Sequence, residues 1–407
     1  MRAYERLLKY VKVHTASSDT SETTPTTYRQ FDLSRMLAKE MRAMGMSEVY
    51  EDLNAYVYGC VPASPGMEGK PSVGFIAHID TVPEFSGENV SPQLVENYDG
   101  GALTLGSSGR VLSPEKFPHL RNLKGRTLIT TDGTTVLGAD DKAGVAEILT
   151  ACERLITENI PHGRIAVCFT PDEEVGHGAS LLDIDRLGVD FAYTVDGGDL
   201  WEINYETFNA AAAHWDVTGL SVHPGAAKGL MVNAGLVAME INGMLPAEEI
   251  PSKTEGYEGF FHLTSMSGGV EKAELNYIIR DHSAEQFEKR VETMYRIEKT
   301  INEKYGPGTA ALTVVEQYRN MAERLRHSMG IVELAKRAIE SQGLKPELIP
   351  IRGGTDGAQL TYRGLLCPNI GTGGYCCHGP FEHISVEDMD VAVNIILSIL
   401  AECLEQR

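Results

Sequence analysis

The sequence has too little positive charge for a nucleic-acid-binding surface. Its 57 acidic residues outnumber its 36 lysines and arginines, giving a formal net charge of -21. No basic stretch offsets this excess, whereas nucleic-acid-binding proteins carry basic patches that contact phosphates. The composition therefore predicts no nucleic-acid partner, and it is otherwise typical of a globular protein.

Long apolar runs are also missing. The first residues, MRAYERLLKYVKVHTASS, carry charges throughout and lack the apolar centre of a secretory signal. The longest apolar run near the other end, VAVNIILSILA, is too short to cross a bilayer. The sequence therefore predicts a cytoplasmic protein that has no membrane partner.

Cysteines are few and irregularly spaced. Their number is odd, which argues against a disulfide framework and predicts reduced thiols. Cys376 and Cys377 precede a histidine, but adjacent side chains diverge, so packing is favoured over metal binding for this pair. The seven cysteines are Cys60, Cys152, Cys168, Cys367, Cys376, Cys377 and Cys403.

The chain is long enough for two domains, because its 407 residues exceed the usual size of a single core. Residues 1–206 and 321–407 alternate strand-like runs, such as RIAVCFT, with helical patterns. This pattern predicts an α/β fold with a mixed, largely parallel sheet and helices on both faces. Residues 207–320 follow the order strand, helix, strand, strand, helix, strand, which predicts an inserted α+β domain built on a split β-α-β unit.

Two helices are well marked in the sequence. The segment DDKAGVAEILTACERLI has apolar residues at helical spacing, and Asp140 and Asp141 are expected in its first turn. A second helix is expected after Ser283, where Ser283 and Gln286 match a capping box and an apolar stripe follows. The first helix should pack against the sheet.

Ionisable side chains stand at the ends of several predicted strands. His78 and Asp80 are two residues apart on a strand, so they face the same way, and Asp80 can fix the tautomer of His78. Each such residue alone could be structural, as a satisfied histidine or a helix cap. Together they are expected to converge, because open α/β sheets place their sites at carboxyl-terminal strand ends. The other members are Asp140, Glu173, Glu174, Asp196 and His378.

This set of side chains predicts metal binding. Imidazole and carboxylate ligands without thiolate suit zinc, manganese or cobalt, and two cations that share a carboxylate would let many acids converge. Divalent cations would also keep clustered acids ionised. Of Glu173 and Glu174, one is expected to bind metal and the other to act on water, since alternate side chains diverge in an extended segment.

Eight segments resemble the peptidase T family, the tripeptide aminopeptidases of the co-catalytic zinc superfamily. They are FIAHIDT, LGADDKAGVAEI, FTPDEEVG, YTVDGG, SVHPGAAKG, EGYEGF, YIIRD and IRGGTDGAQL. The resemblance implies a dinuclear zinc enzyme, with cobalt or manganese as alternative metals, that releases the N-terminal residue from a small peptide. The alternatives are a related dipeptidase or N-acyl amino acid amidohydrolase, and a non-catalytic metal-storage protein.

The resemblance also implies which residues bind the two zinc ions. His78, Asp140 and Asp196 would bind one ion. Asp140, Glu174 and His378 would bind the other. Asp140 would therefore bridge the pair.

Catalytic and substrate-binding roles follow from the same resemblance. Asp80 would orient His78, Glu173 would be the general base, and His223 would stabilise the developing oxyanion. Arg280 would bind a substrate carboxylate. The weaker substrate candidates, which could instead brace glycine-rich loops, are Asn233 and Arg352.

The inserted domain is expected to act as a lid and to form a homodimer, as in relatives. The acids expected to have supporting or structural roles are Asp141, Asp172 and Asp199. The chain departs from the family pattern at His177, Cys376, Cys377 and His383.

Overall fold

The computed structural model describes residues 1–405. Its α-helices are α1 (Ala3–Tyr10), α2 (Gln30–Ala43), α3 (Ala139–Glu158), α4 (Ile184–Leu187), α5 (Ala234–Gly243), α6 (Ala284–Tyr305), α7 (Ala322–Leu325), α8 (Gly330–Ser341), α9 (Asp356–Tyr362) and α10 (Val386–Glu405). Short 3-10 helices are Pro118–Leu123, Glu173–Val175, Pro224–Ala226 and Pro251–Lys253.

The strands fall into four sheets. They are β1 (Ser47–Glu51), β2 (Val57–Val61), β3 (Val73–His78), β4 (Gln93–Val95), β5 (Leu103–Leu105), β6 (Arg110–Leu112), β7 (Leu128–Thr130), β8 (Ile165–Thr170), β9 (Phe191–Gly197), β10 (Glu202–Asn204), β11 (Asn209–Thr218), β12 (Phe260–Gly268), β13 (Lys272–Asp281), β14 (Ala310–Tyr318), β15 (Glu347–Leu348), β16 (Asn369–Gly371), β17 (Gly374–Tyr375) and β18 (His383–Ser385).

The chain divides into two compact units. The first comprises Met1–Tyr205, Arg324–Ile349 and the described residues from Thr355 onward, and the second comprises Glu206–Glu323 and Pro350–Gly354. The sequence pattern predicts Pro350–Gly354 in the larger domain, whereas the structure places it in the second unit. It packs with the second unit because its backbone is bonded there, as in the hydrogen bond from Phe208 N–H to Gly353 O.

The first unit is built on an eight-stranded sheet in the order β1-β2-β8-β3-β9-β16-β10-β15. Its centre, β8-β3-β9-β16, is parallel, and antiparallel pairs flank it. The central strands β3 and β8 are buried along their whole length, as expected for strands covered on both faces. The predicted α/β class is confirmed.

Helix α3 packs against β3 and β9. Gly144 allows this close approach, because a Cβ there would lie 2.0 Å from the Val195 carbonyl oxygen. Asp140 and Asp141 lie in the first turn of α3, as expected, although the helix is kinked there and neither has helical backbone angles. Asp141 turns inward and accepts hydrogen bonds from His78 N–H and Gly144 N–H.

The second unit contains one antiparallel sheet in the order β12-β13-β11-β14, with α5 and α6 packed against it. β13 separates β11 from β12, which is the split arrangement expected from sequence. The core includes Trp215, Leu275, Phe287 and Ile301. These apolar side chains alternate along the strands and recur along α6, which explains the pattern seen in the sequence.

The capping box expected at the start of α6 forms only in part. The Ser283 hydroxyl accepts a hydrogen bond from Gln286 N–H, as predicted. The Ser283 N–H, however, donates to Asp281 Oδ1 at 2.9 Å rather than to the Gln286 side chain. Asp281 ends β13 and already lies beside this N–H, so it takes the place of Gln286.

No helix among residues 1–405 has the length and apolar character needed to cross a membrane. All seven cysteines are free thiols.

Candidate metal centre

Three neighbouring strands bring the predicted ligands to one edge of the sheet. β8, β3 and β9 run parallel and adjacent, so their carboxyl ends lie together. His78 is the last residue of β3, and Asp196 lies near the end of β9. The turn after β8 supplies Glu173 and Glu174. The predicted convergence at this edge is therefore present in the structure.

Asp140 lies between the two histidines. His78 Nε2 is 2.9 Å from Asp140 Oδ1, and His378 Nε2 is 3.1 Å from Asp140 Oδ2. Glu174 Oε2 is also 3.1 Å from His378 Nε2, and Asp196 Oδ1 is 3.7 Å from His78 Nε2. Each oxygen of Asp140 thus faces a different group of side chains, which is the arrangement a bridging carboxylate requires.

The orientation of His78 is set by Asp80. The His78 Nδ1 lies 3.1 Å from the Asp80 carbonyl oxygen and 3.3 Å from Asp80 Oδ1. Hydrogen bonding at Nδ1 directs Nε2 toward Asp140 and makes that nitrogen the better ligand. Asp80 is fully buried and also accepts hydrogen bonds from the N–H groups of Glu173 and Glu174.

Glu173 stands beside the ligand groups but outside them. It forms no ion pair within the described chain. Burial raises its pKa well above the usual value, and the charge of Asp196 adds to this effect. The segment from Glu173 to Val175 is a 3-10 helix and not the extended segment considered from sequence. The two glutamates therefore diverge because the backbone turns between them.

Burial and close contacts shift the pKa of the surrounding groups. Burial raises the pKa of Glu174 to about 7, and the charge of Asp140 contributes. Hydrogen bonds to Asp140 and Glu174 raise the pKa of His378 to about 11. Burial alone would raise the pKa of Asp140, but hydrogen bonds from His378 and His78 outweigh it and keep that pKa low.

These donors fit divalent cations. Within residues 1–405, the ion-pair partners of Asp140, Glu174 and Asp196 are all histidines. The only positive charge that side chains can supply to these acids therefore comes from protonated imidazoles. Divalent cations would keep every carboxylate ionised. Two groups of side chains each have possible ligand atoms within 4.8 Å of one another. One group is His78, Asp140 and Glu174, and the other is His78, Asp141 and Asp196.

Two residues support the candidate centre in ways that the sequence does not specify. The sequence predicts no role for Glu382 and only a general supporting or structural role for Asp141. Glu382 accepts hydrogen bonds from the N–H groups of Leu137, Gly138 and Asp140. It therefore holds the backbone that carries the central carboxylate. The signal available was an acidic residue four positions after His378, which is too common to be decisive. Asp141 shares the second ligand group and also bonds the backbone of His78.

The remaining acids have structural partners. The Asp172 carboxylate accepts hydrogen bonds from the backbone and hydroxyl of Thr26 and from the Gln30 amide. Asp199 accepts a hydrogen bond from the Tyr375 hydroxyl at 2.5 Å. Both contacts are consistent with the supporting roles expected from sequence.

His223 and Asn233 lie in the second unit. His223 Nδ1 accepts a hydrogen bond from Gly225 N–H at 3.1 Å, so its proton is on Nε2. That exposed Nε2–H is a free donor of the kind an oxyanion needs. The Asn233 side chain caps α5 by accepting from Leu236 N–H. A substrate contact from Asn233 stays a prediction.

Arg280 and Arg352 also belong to the second unit, and their surroundings differ. The Arg280 guanidinium contacts backbone carbonyls and stacks over Tyr318, and it has no acidic ion-pair partner within residues 1–405. The Arg352 guanidinium instead binds the carbonyls of Thr254, Gly256 and Glu258. Arg280 is therefore better placed than Arg352 to bind a carboxylate from outside the chain, while Arg352 braces a loop.

Comparisons with known proteins identify the family. Residues 137–402 match the model of peptidase family M20/M25/M40. Peptidase T of Clostridium perfringens (strain 13 / Type A) is 50% identical over 400 residues, which is 98% of each chain. This chain belongs to peptidase family M20/M25/M40. The predicted peptidase, a hydrolase, is thereby confirmed, as is the resemblance to peptidase T.

Solved structures of this family share the fold. The aminopeptidase PepT from Bacillus cereus ATCC 10987 is 25% identical, with a TM-score of 0.79 over 99% of this chain and 98% of that one. The Bacillus subtilis YXEP protein, a dinuclear metal binding peptidase of the M20 family, is 15% identical with a TM-score of 0.65 over 100% and 99% of the two chains.

Proposed function

We propose that this M20 peptidase is a dinuclear metal aminopeptidase that releases the N-terminal residue from tripeptides. The observation that carries the proposal is the position of Glu173, a half-buried carboxylate adjacent to two groups of metal-binding side chains and paired with none of them. A storage or structural site has no use for such a residue. The full-length similarity to peptidase T supports the tripeptide substrate.

We assign the ligands as the family resemblance implies. One cation would be held by His78, Asp140 and Asp196, and the other by Asp140, Glu174 and His378. The contacts of both Asp140 oxygens with histidine nitrogens support its bridging role. Zinc is the proposed metal, with cobalt and manganese as alternatives that the same donors accept.

The bound cations would supply Lewis acidity to the attacking water and to the peptide carbonyl. Glu173 takes a proton from that water and returns it to the leaving amine. The raised pKa of Glu173 suits this exchange. A group that acts first as a base and then as an acid works best when its pKa lies near the pH of the reaction. His223 donates its Nε2–H to the developing oxyanion, and Arg280 binds the carboxylate of the substrate.

Parallel assays test the substrate class. The purified protein, loaded in turn with zinc, cobalt or manganese, is given Ala-Ala-Ala, Ala-Ala and acetyl-alanine. The proposal expects cleavage of Ala-Ala-Ala at its first peptide bond and much slower turnover of the other two. Preference for Ala-Ala would favour a dipeptidase, and preference for acetyl-alanine would favour an N-acyl amino acid amidohydrolase.

We also propose a homodimer formed through residues 207–320 and a cytoplasmic location. Leu236 and Met239 on α5 are 63% and 61% exposed, which supports a contact surface on the second unit. The seven free thiols support a reducing compartment. Light scattering of the purified protein tests the dimer, and substitution of both exposed side chains by serine should shift it toward the monomer.

A further inference from the structure

A second, separate set of metal-binding side chains lies outside the acidic cluster. His119, Cys376 and His383 place two imidazole nitrogens and one sulfur within 4.8 Å of one another. His119 is in the 3-10 helix Pro118–Leu123, Cys376 is the first residue of the loop between β17 and β18, and His383 is the first residue of β18. None of the three has a role in the proposed peptidase reaction.

The two imidazoles meet through the nitrogens that would bind a metal. His119 Nε2 and His383 Nε2 are 3.0 Å apart. His383 is fully buried, and its Nδ1 lies 2.7 Å from the Phe381 carbonyl oxygen, so Nδ1 carries the proton. This leaves a lone pair on the buried Nε2 that points at His119. A backbone partner on the far nitrogen is the usual support of a metal-ligating histidine.

The spacing of the three donors suits one tetrahedral ion. With bonds of about 2.0 Å to nitrogen and about 2.3 Å to sulfur, tetrahedral zinc separates its ligand atoms by about 3.3 to 3.6 Å. The observed nitrogen separation of 3.0 Å is close to this range, and the sulfur lies within 4.8 Å of both nitrogens. The stacked ring of Tyr375, whose centroid is 4.3 Å from that of His119, holds the histidine in place.

We propose that His119, Cys376 and His383 form a third metal site, which binds one zinc ion and leaves its fourth position to water. A thiolate with two imidazoles is a softer donor set than the acidic cluster, so zinc is favoured over manganese here. The inference does not rest on the proposed peptidase function.

The position of the site indicates what the ion would do. Tyr375 and His383 are paired across β17 and β18, so residues 376–382 form the connecting loop, and that loop carries His378. A zinc ion held by Cys376 at one end of the loop and His383 at the other would fasten both ends to His119. The ion would therefore restrict the movement of His378, a proposed ligand of the acidic cluster.

Cobalt binding to the whole, metal-depleted protein tests the site. Thiolate coordination of Co²⁺ produces a near-ultraviolet charge-transfer band, and the ligands proposed for the acidic cluster include no cysteine. The wild-type protein should show this band, and Cys376→Ser and His383→Phe should each lose it. The matched control is Cys377→Ser, because the adjacent, exposed Cys377 belongs to no potential ligand group among residues 1–405. This control should keep the band.

Zinc content gives a second measurement. After zinc loading and gel filtration, the wild-type protein and Cys377→Ser should each hold one more zinc ion per chain than Cys376→Ser. Circular dichroism checks that each variant is folded, and His119→Asn replaces Cys376→Ser if the latter does not fold. A band that persists in Cys376→Ser, disappears in Cys377→Ser or is absent from the wild type would overturn the proposal. None of these measurements requires a peptidase assay.

Discussion

At the residue scale, three consecutive acids have three different environments. The Asp172 carboxylate is saturated by Thr26 and Gln30, Glu174 contacts His378, and Glu173 has no ion-pair partner in the described chain. The left-handed backbone at Asp172 and the 3-10 turn after it send the side chains in separate directions. Chemical identity alone does not distinguish their roles, whereas their surroundings do.

Glu173 and Glu174 should respond differently to substitution. Glu173→Gln should retain both metals and lose about 10²- to 10⁴-fold in turnover, the usual contribution of a general base. Glu174→Ala should lose metal, because it removes a donor. Metal content by mass spectrometry and tripeptide turnover separate the two effects. Wild-type turnover in Glu173→Gln would show that another group is the base.

His383 should make the metal-free protein sensitive to acid. Burial lowers the pKa of His383 to about 4, so the folded state disfavours the charged form. Its contribution to stability is complete above the unfolded pKa of about 6.5 and is lost as the pH falls to about 4, a change of about 3 kcal/mol.

Replacing His383 by phenylalanine should remove this pH dependence while keeping an aromatic ring beside Tyr375 and His119. Urea unfolding in a chelator at about pH 4.5 and about pH 7 measures it, since the free energies of wild type and His383→Phe should diverge at the lower pH. An equal loss in both proteins would exclude the titration of His383 as the cause.

At the element scale, helix α6 shows how a local pattern is modified by its neighbours. Ser283→Ala should lower the free energy of unfolding by about 1 kcal/mol, because Gln286 N–H loses its acceptor. Gln286→Ala is the matched control and should have little effect, since Asp281 already accepts from Ser283 N–H. Denaturant unfolding of both variants measures these free energies. A large loss of stability in Gln286→Ala would show that the Gln286 side chain does take part in a full capping box.

The start of α3 is also held by a side chain from elsewhere in the chain, the carboxylate of Glu382. This carboxylate holds the N–H groups of Leu137, Gly138 and Asp140, and no other acid is placed to do so within the described chain. Glu382→Ala should weaken metal binding about 10- to 100-fold, the usual effect of removing support from a ligand. Competition with a chromogenic chelator measures the affinity. Unchanged affinity would mean that Asp140 is held without Glu382.

At the scale of the whole molecule, metal binding and stability should be linked through pH. The folded pKa values of Glu174 and His378, about 7 and about 11, lie above the usual ones. Groups with raised folded pKa values contribute stability at low pH that is lost as the pH rises. In the metal-free protein the contribution of Glu174 should be lost between about pH 4.5 and about pH 7, and that of His378 between about pH 6.5 and about pH 11. Bound cations would compensate for both losses.

Thermal melts of the zinc-loaded and chelator-treated protein test this. The gap between the two melting temperatures should widen as the pH rises. A gap that stays constant or narrows would show that the buried acids are stabilised by something other than the metal ions. Because protons and metal ions compete for the same donors, the comparison of the two forms needs no variant.

Much of the candidate centre could be predicted from sequence because its residues follow strands. His78, Asp196 and the turn after RIAVCFT end three parallel strands, and the carboxyl ends of parallel strands meet at one sheet edge. The roles drawn from the family resemblance for His223, Arg280, Asn233 and Arg352 stay predictions. Arg352 and Asn233 illustrate the difficulty, since a guanidinium or amide that braces backbone has the same sequence signature as one that contacts substrate.

By itself, the sequence determined the α/β class, the split β-α-β insertion and the convergence of histidines and acids, because periodicity and strand ends are local properties. Only the tertiary structure decided the partners of Asp172, the support of Asp140 by Glu382 and the meeting of His119 with Cys376 and His383. These contacts join segments that are more than a hundred residues apart. No spacing rule relates such segments, and only the packed chain brings them within bonding distance.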